Sequence, residues 1–336
     1  MDQREEIVTI AVDELKELCL KRLAEASVPE AEAQTITDIL VEADQRGVHS
    51  HGVVCLPRYI SLMKRGIMKR KMEYRTITDN GTVCVWDGLR SNAQVLGKTA
   101  MLHAMERAKE HGMAAVAVKN SNHFGAGAYY SELAAKGGMF GITMSTGSPT
   151  MAPWGGAERM IGNNPLAAAV PVKDGEPILL DMAMSVVAFG KITNLAKQGI
   201  PQIPEGWALD EDGRETTDVS KVYSVIPVGT YKGFGLALMI DILSGILFGG
   251  ATGERAGDER EGPAQLFIAL DIEAFGNSGR FYQELSDRLA ELKSCRLAEG
   301  SGEILFPGEL ENITRSHSGE YVKLIREIVE ELRIAF

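Results

Sequence analysis

Two histidine-bearing turns are the residues of this sequence best suited to chemistry. The first is His49-Ser50-His51-Gly52, and the second, Asn122-His123-Phe124-Gly125, follows about seventy residues later. An imidazole exchanges protons near neutral pH because its ordinary pKa is about 6.5. Each turn therefore offers a candidate general acid and base.

The elements around these turns would place both at a cleft. The apolar run 114–118 predicts a strand before His123, and residues 128–136 predict a helix after it. A Gly-rich turn between a strand and a helix presents side chains and free backbone N–H groups beside a pocket. The first turn follows a helix predicted to end near Arg46-Gly47.

The bulk properties exclude several classes of protein. A chain of 336 residues is long enough for two domains, and its net charge of −11 argues against nucleic acid or an anionic membrane as the main partner. Residues 1–6 contain no apolar signal core, and the apolar stretch 234–248 looks too short and too polar to span a bilayer. The cysteines are scattered without a CxxC pair, which is typical of a reducing compartment, and they are Cys19, Cys55, Cys84 and Cys295. We expect a cytoplasmic protein.

Hydrophobic periodicity divides the chain into helical ends and a middle of short strands. Helical repeats mark the first seventy residues, residues 282–292 and residues 324–332. The segment 190–229 reads as mostly turns, and a helix that is apolar on nearly all faces begins near Gly233.

Three familiar motifs are absent. The pairs Gly125-Ala126-Gly127 and Gly233-Phe234-Gly235 lack the third glycine of G-x-G-x-x-G, which argues against a Rossmann domain. The first histidine turn lacks the leading glycine of a serine-hydrolase elbow. His49-x-His51 has no further metal ligand at a suitable spacing, so we predict no metal site.

The chain resembles the malate/L-lactate dehydrogenase family of the non-Rossmann type. That family includes ureidoglycolate, sulfolactate and diketogulonate oxidoreductases and a piperideine-2-carboxylate reductase. The resemblance rests on blocks that run in family order over almost the whole chain: 46–53, 122–125, 152–156, 162–166, 181–185, 190–192, 231–235 and 306–309.

The resemblance implies an α+β fold, a homodimer and NAD or NADP as cofactor. It implies a non-Rossmann NAD(P)-binding domain on a large, mostly antiparallel sheet, together with a helical domain formed from both chain ends. On this sequence the helical N-terminal part would be 1–74, the NAD(P)-binding domain 75–275, and the C-terminal helices 276–336 would pack with the N-terminal part.

The resemblance also implies catalytic roles. His51 looks like the family's catalytic acid, although family members have been assigned the acid/base at either histidine motif, so His123 remains the rival. Asp181 ends an apolar strand and would orient a histidine, or alternatively cap the next turn through Ser185. Ser50 would contact the substrate, or stabilise its own turn.

The cofactor would lie along the 181–185 segment, with its pyrophosphate at the helix start that carries Lys232. By resemblance the cofactor-binding residues are His123, Gly125, Asp181, Met182, Ala183, Met184, Ser185, Tyr231, Lys232, Gly233, Gly308 and Glu309.

One departure from the family pattern bears on the substrate. The family commonly has an arginine four residues after the first catalytic histidine, suited to a bidentate pair with a carboxylate, and this chain has Cys55 there. Arg58 or another cation would then bind the acid. We expect hydride transfer between nicotinamide and a small 2-hydroxy or 2-oxo acid, with a cyclic imino-acid reductase or a catalytically weakened cofactor-binding homologue as alternatives.

Overall fold

The computed structural model describes residues 6–334; the predicted terminal parts also include residues 1–5 and 335–336, which lie outside the described residues. The first third of the chain contains β1 (Ile7–Ala11), α1 (Val12–Glu25), α2 (Glu30–Gln45), α3 (Leu56–Lys64), β2 (Arg75–Asp79), β3 (Val83–Asp87) and α4 (Ala93–His111). The middle contains β4 (Met113–Lys119), α5 (Ala128–Lys136), β5 (Met139–Ser145), β6 (Pro149–Met151), β7 (Ile161–Gly162), β8 (Leu166–Val170), β9 (Ile178–Met182), α6 (Phe189–Lys197), β10 (Ala208–Leu209), β11 (Glu215–Thr216) and β12 (Ser224–Val225). The last part contains α7 (Tyr231–Ser244), α8 (Glu254–Gly257), β13 (Gln265–Asp271), α9 (Ser278–Lys293), α10 (Glu309–Ser318), β14 (Tyr321–Ile325) and α11 (Arg326–Arg333).

A seven-stranded sheet forms the centre of the molecule. Its strand order is β2-β3-β4-β13-β5-β8-β9. Only the β3/β4 pair is parallel, and every other pair in this sheet is antiparallel. The expected α+β fold with a large, mostly antiparallel sheet is therefore present.

The two faces of this sheet belong to different hydrophobic cores because side chains alternate along a strand. Val116, Val118 and Phe267 pack with α4 and α5 on one face. Ala117 and Leu266 point to the other face, where they pack with α7 and with a five-stranded sheet of order β11-β10-β12-β6-β7.

Helix α4 is well defined at both ends. The Asn92 side chain accepts a hydrogen bond from the Val95 N–H at 3.0 Å, which satisfies one of the free donors of the first turn. The helix stops at Gly112, whose φ of 83° favours glycine.

The two chain ends share one core. Leu15, Leu40 and Leu56 are buried together with Val322 and Leu332. Strands β1 and β14, which the sequence did not predict, pair antiparallel and join the ends. The predicted C-terminal helix was wrong in part, because Leu324 and Ile325 belong to β14 and the helix starts at Arg326. None of the residues of α9 is buried, so this helix adds little to the shared core.

Two further sequence predictions need correction. The 190–229 segment contains α6 and three short strands where turns were expected. Helix α7 packs on the sheet through Ala237 and Ile240 but leaves large apolar side chains such as Met239 exposed, so it is not buried on nearly all faces.

By length and composition alone, the segment Tyr231–Phe248 could cross a membrane, contrary to the sequence expectation, with a mean hydropathy of 1.5 and a third of it buried. The core helix of a soluble protein meets the same criterion. Here the segment breaks at Gly245 and contains Asp241, which accepts a hydrogen bond from Asn164 at 2.8 Å.

Candidate active site

The first histidine turn is anchored by Asp44, a buried residue of α2. One oxygen of its carboxylate lies 2.8 Å from His49 Nδ1, and the other accepts the Val53 N–H at 2.7 Å. A Cβ at Gly52 would overlap this carboxylate, so the turn needs glycine there. His49 is therefore occupied by Asp44, and Ser50 and His51 project from a fixed turn.

The second histidine turn is held by amide side chains from three other segments. Asn122 donates to the Ser91 carbonyl at 2.7 Å, and Gln265 donates to the Asn122 carbonyl at 3.0 Å. Gln94 reaches the carbonyl of His123 at 3.3 Å. These bonds fix the loop between β4 and α5.

The fold brings the two predicted histidines together. Their rings are stacked, with centroids 5.4 Å apart and planes inclined by 28°. His51 Nδ1 lies 2.9 Å from Ser50 Oγ, and His123 Nδ1 lies 2.6 Å from Tyr59 Oη. Because each Nδ1 has a protein partner, Nε2 is the nitrogen each ring has left for a ligand.

Both imidazoles are held in the neutral form. Desolvation lowers the pKa of His51, and desolvation together with the nearby His51 and Arg58 lowers the pKa of His123 to about 3. A neutral imidazole can accept a proton, and a bound anion would raise both pKa values again.

Tyr59 is the main residue that the sequence reasoning missed. It lies on α3 with only 1% of its surface exposed, and burial raises its hydroxyl pKa well above the ordinary value. It also neighbours Cys55, whose thiol donates to the Ser50 carbonyl at 3.4 Å and has a pKa raised by burial to about 11. The usable signal was its position four residues after Cys55, on the same face of a helix.

Asp181 does not orient a histidine. Its carboxylate accepts the Ala128 N–H at 2.8 Å, at the start of α5. The side chain is open to two cavities although it lies deep in the protein, and desolvation raises its pKa to about 6. The alternative of a cap through Ser185 is also wrong in its partner, because the capped helix is α5.

A cavity of about 330 Å³ contains both histidines. The predicted residues that line it are Ser50, His51, Arg58, His123, Gly125, Asp181, Met182 and Ala183. Residues 256–259 of the acidic loop close one side, and Arg90 lies beside them. Arg90 donates to the carbonyls of Glu259 and Glu261, at 2.8 and 3.1 Å.

A second cavity of about 440 Å³ adjoins the first at Val48, Ala126 and Asp181. Leu179, Phe306 and Pro307 give it a mainly apolar wall, as a planar aromatic group requires. Gly308 lines it with a φ of 88°, where a Cβ would contact Leu179. Two cavities meeting at one carboxylate fit an elongated ligand with a ring at each end.

The remaining predicted cofactor residues do not line either cavity. Tyr231 and Lys232 are exposed at the start of α7, and Gly233 is packed against the Val228 backbone. Met184 is buried in the core beneath the site.

Two other predicted positions are also turned away from the cavities. Ser185 is buried with no partner for its hydroxyl among the described residues. Glu309 lies 2.6 Å from Lys293 and accepts the Phe306 N–H at 2.7 Å, so it stabilises its own turn.

Comparison with known proteins assigns a family to this architecture. Residues 10–333 match the family model described as malate/L-lactate dehydrogenase. A malate dehydrogenase of Pyrococcus horikoshii is 37% identical over 98% of this chain and 94% of its own. A ureidoglycolate dehydrogenase (NAD(+)) of Escherichia coli is 33% identical over 96% and 94%. The solved sulfolactate dehydrogenase of Methanocaldococcus jannaschii superposes with a TM-score of 0.90 at 36% identity, covering 97% of this chain and 95% of that one.

Proposed function

Because this chain belongs to the malate/L-lactate dehydrogenase family, we propose that it transfers a hydride between a nicotinamide dinucleotide and a small 2-hydroxy or 2-oxo acid. The observation that carries the proposal is the stacked pair His51 and His123 in a cavity that continues into a second one. The relatives compared above, at a third or more identity, are all named dehydrogenases of small hydroxy acids.

The two adjoining cavities would hold the dinucleotide. Met182 and Ala183 would face the ring in the first cavity, and Gly308 would allow close approach in the second. When bound, the nicotinamide supplies the hydride acceptor or donor. The E. coli relative carries NAD(+) in its name, and either NAD or NADP is retained for this chain.

The histidines would manage the proton of the substrate oxygen. In oxidation the hydroxyl must lose its proton as the hydride leaves, and a neutral imidazole Nε2 accepts it. In reduction the same nitrogen returns the proton to the carbonyl oxygen. We keep both candidates: His51 is held by Ser50, and His123 is held by Tyr59.

Arg58 would bind the substrate carboxylate. Of the two arginines that line the histidine cavity, Arg90 already donates to backbone carbonyls of the acidic loop, whereas Arg58 is exposed at the rim close to His123. Cys55 cannot provide the two parallel N–H groups that an arginine would. An Arg58→Gln variant should therefore raise the KM for the acid and leave the dinucleotide Kd unchanged.

A second copy of the chain would cover the exposed side of α7. Leu236, Met239 and Leu247 are 48%, 51% and 69% exposed there, an apolar patch of the kind that marks protein interfaces. Lys232 lies on the same helix and reaches neither cavity of its own chain, so a homodimer would give this lysine access to a cofactor. Light scattering of the wild type and a Met239→Glu variant tests this, because the charge should shift the dimer to monomer.

The cytoplasm is the proposed location. All four cysteines are free thiols, as in proteins of a reducing compartment.

The decisive assay mixes the purified protein with NADH or NADPH and a panel of 2-oxo acids that includes cyclic imino acids. Loss of nicotinamide absorbance with one acid class supports the proposal and identifies the substrate. Turnover of cyclic imines alone would move the assignment to an imino-acid reductase. Nucleotide binding without any turnover would make the chain a weakened homologue, and failure to bind either nucleotide would refute the dehydrogenase proposal.

A further inference from the structure

A cluster of three potential metal ligands lies outside the cavities described above. Asp79 ends β2, Cys84 lies on β3 and His103 lies on α4. One carboxylate oxygen, the thiol sulfur and one imidazole nitrogen all lie within 4.8 Å of one another. None of these residues takes part in the proposed dehydrogenase site.

The geometry of this cluster matches a tetrahedral zinc site. Cys84 Sγ lies 3.5 Å from His103 Nε2. With Zn–S near 2.3 Å and Zn–N near 2.0–2.1 Å, two ligands of a tetrahedral zinc ion are about 3.6 Å apart. The sulfur and the nitrogen are thus already at the separation that a shared zinc ion would impose, and only the carboxylate would need to move closer.

The histidine is also in the state that metal binding requires. Arg107 Nε lies 3.5 Å from His103 Nε2, so the lone pair on that nitrogen points into the cluster. His103 Nδ1 faces the Glu106 carboxylate at 3.9 Å, an outer partner of the kind that orients metal-bound histidines. Trp86 packs against the ring, with centroids 5.3 Å apart.

A positive charge already sits among these ligands. Arg107 donates to Asp79 at 3.0 Å, and its other terminal nitrogen lies 3.9 Å from Glu110 on the next turn of α4. The guanidinium could therefore turn to Glu110 when an ion takes its place. With one thiolate, one carboxylate and a neutral imidazole, a divalent ion would leave the cluster electrically neutral.

We propose that Asp79, Cys84 and His103 form a zinc site, with Arg107 as the cation that zinc displaces. Binding exchanges the thiol proton of Cys84 for the Zn–S bond and releases that proton to solvent. A thiolate and an imidazole favour zinc over magnesium or calcium, and three protein ligands leave a fourth position for water. The ion would join the β2–β3 hairpin at the sheet edge to α4.

Cobalt(II) is the probe, because a thiolate bound to it absorbs in the near ultraviolet. The full-length protein, without a histidine tag and after chelator treatment, should develop this band with one equivalent of cobalt and lose it when zinc is added. Cys84→Ser should abolish the band, whereas the matched control Cys295→Ser, at an exposed thiol, should retain it. Arg107→Gln should lower the half-saturating cobalt concentration by about fivefold, since one competing charge is removed.

A second measurement guards against misfolding of the Cys84 variant. Zinc should raise the melting temperature of the wild type and of His111→Gln, a histidine outside the cluster, but not that of His103→Gln. Absence of the near-ultraviolet band from the wild type would overturn the proposal. Persistence of the band in Cys84→Ser, or an equal melting shift in His103→Gln, would overturn it as well.

Discussion

The hydroxyl of Tyr59 should be worth one to two orders of magnitude in turnover. It lies 2.6 Å from His123 Nδ1, and the tyrosine is almost completely buried. Replacing Tyr59 by Phe keeps the ring and its packing but leaves the imidazole nitrogen without this partner. Because water has little access to Tyr59, the lost bond should not be fully replaced.

The size of the effect follows from the cost of an unsatisfied buried polar group. That cost is about 1–3 kcal/mol, which corresponds to a loss of about 5- to 150-fold in kcat/KM if the bond is needed in the transition state. The dinucleotide does not contact Tyr59 in the proposed arrangement, so its Kd should not change. A purely structural tyrosine would affect both quantities through loss of folded protein.

The matched control is Tyr130→Phe. Tyr130 is equally buried, and its hydroxyl donates to the Phe124 carbonyl at 2.5 Å without touching either imidazole. Both variants should lose a similar amount of thermal stability, but only Tyr59→Phe should lose turnover. Steady-state kinetics and thermal melts on the three proteins test this, and equal turnover in all three would refute the positioning role of Tyr59.

Three further predictions concern residues that line or support the histidine cavity. His51→Ala and His123→Ala should separate the two candidates, because the variant that lost the acid/base should lose at least about 100-fold in kcat while the other keeps most of it; equal losses would show that the pair acts as one unit. Gly52→Ala should lower the free energy of unfolding by about 1–3 kcal/mol in a denaturant titration, because the methyl group overlaps the Asp44 carboxylate; an unchanged midpoint would contradict the anchoring of this turn. Asp181→Asn should keep the acceptor for the Ala128 N–H. The folded-state pKa of Asp181 is raised to about 6, so its favourable contribution is present below the ordinary value near 3.8 and is lost as the pH rises through 6. Melts of both proteins should therefore coincide near pH 4 and differ by about 1 kcal/mol or less at pH 7, since water in the cavity screens the charge; a difference that shrinks with pH would contradict the sign.

The sequence predicted the location of the histidine turns because their signals are local. Glycines, an apolar run and a small-residue helix bracket His123, and a helix end precedes His51. Tyr59 and Asp44 could not be found in the same way. Each lies within a helix, where its spacing is typical of an ordinary core or surface position, and only a contact with a distant or turned segment gives it a role at the site.

The errors in the fold prediction have related causes. The β1–β14 pair joins the two chain ends, and five-residue strands with mixed polarity carry little signal of a partner three hundred residues away. Helix α7 reads as buried because its sequence is apolar throughout, yet composition does not distinguish a side covered by the same chain from a side left exposed. The predicted role of Asp181 followed the order of residues in the chain, whereas its real partner, Ala128, comes from another strand–helix connection.

The position of β13 determines how this protein can be built on the ribosome. This strand pairs on one side with β4 and on the other with β5, although both are synthesised more than a hundred residues earlier. Until residue 271 has emerged, the two earlier strands each expose an unpaired edge, which can pair with other chains. Pairings between such distant segments also form slowly. Assembly of the sheet must therefore come late in synthesis, and the growing chain is most prone to aggregation just before β13 is inserted.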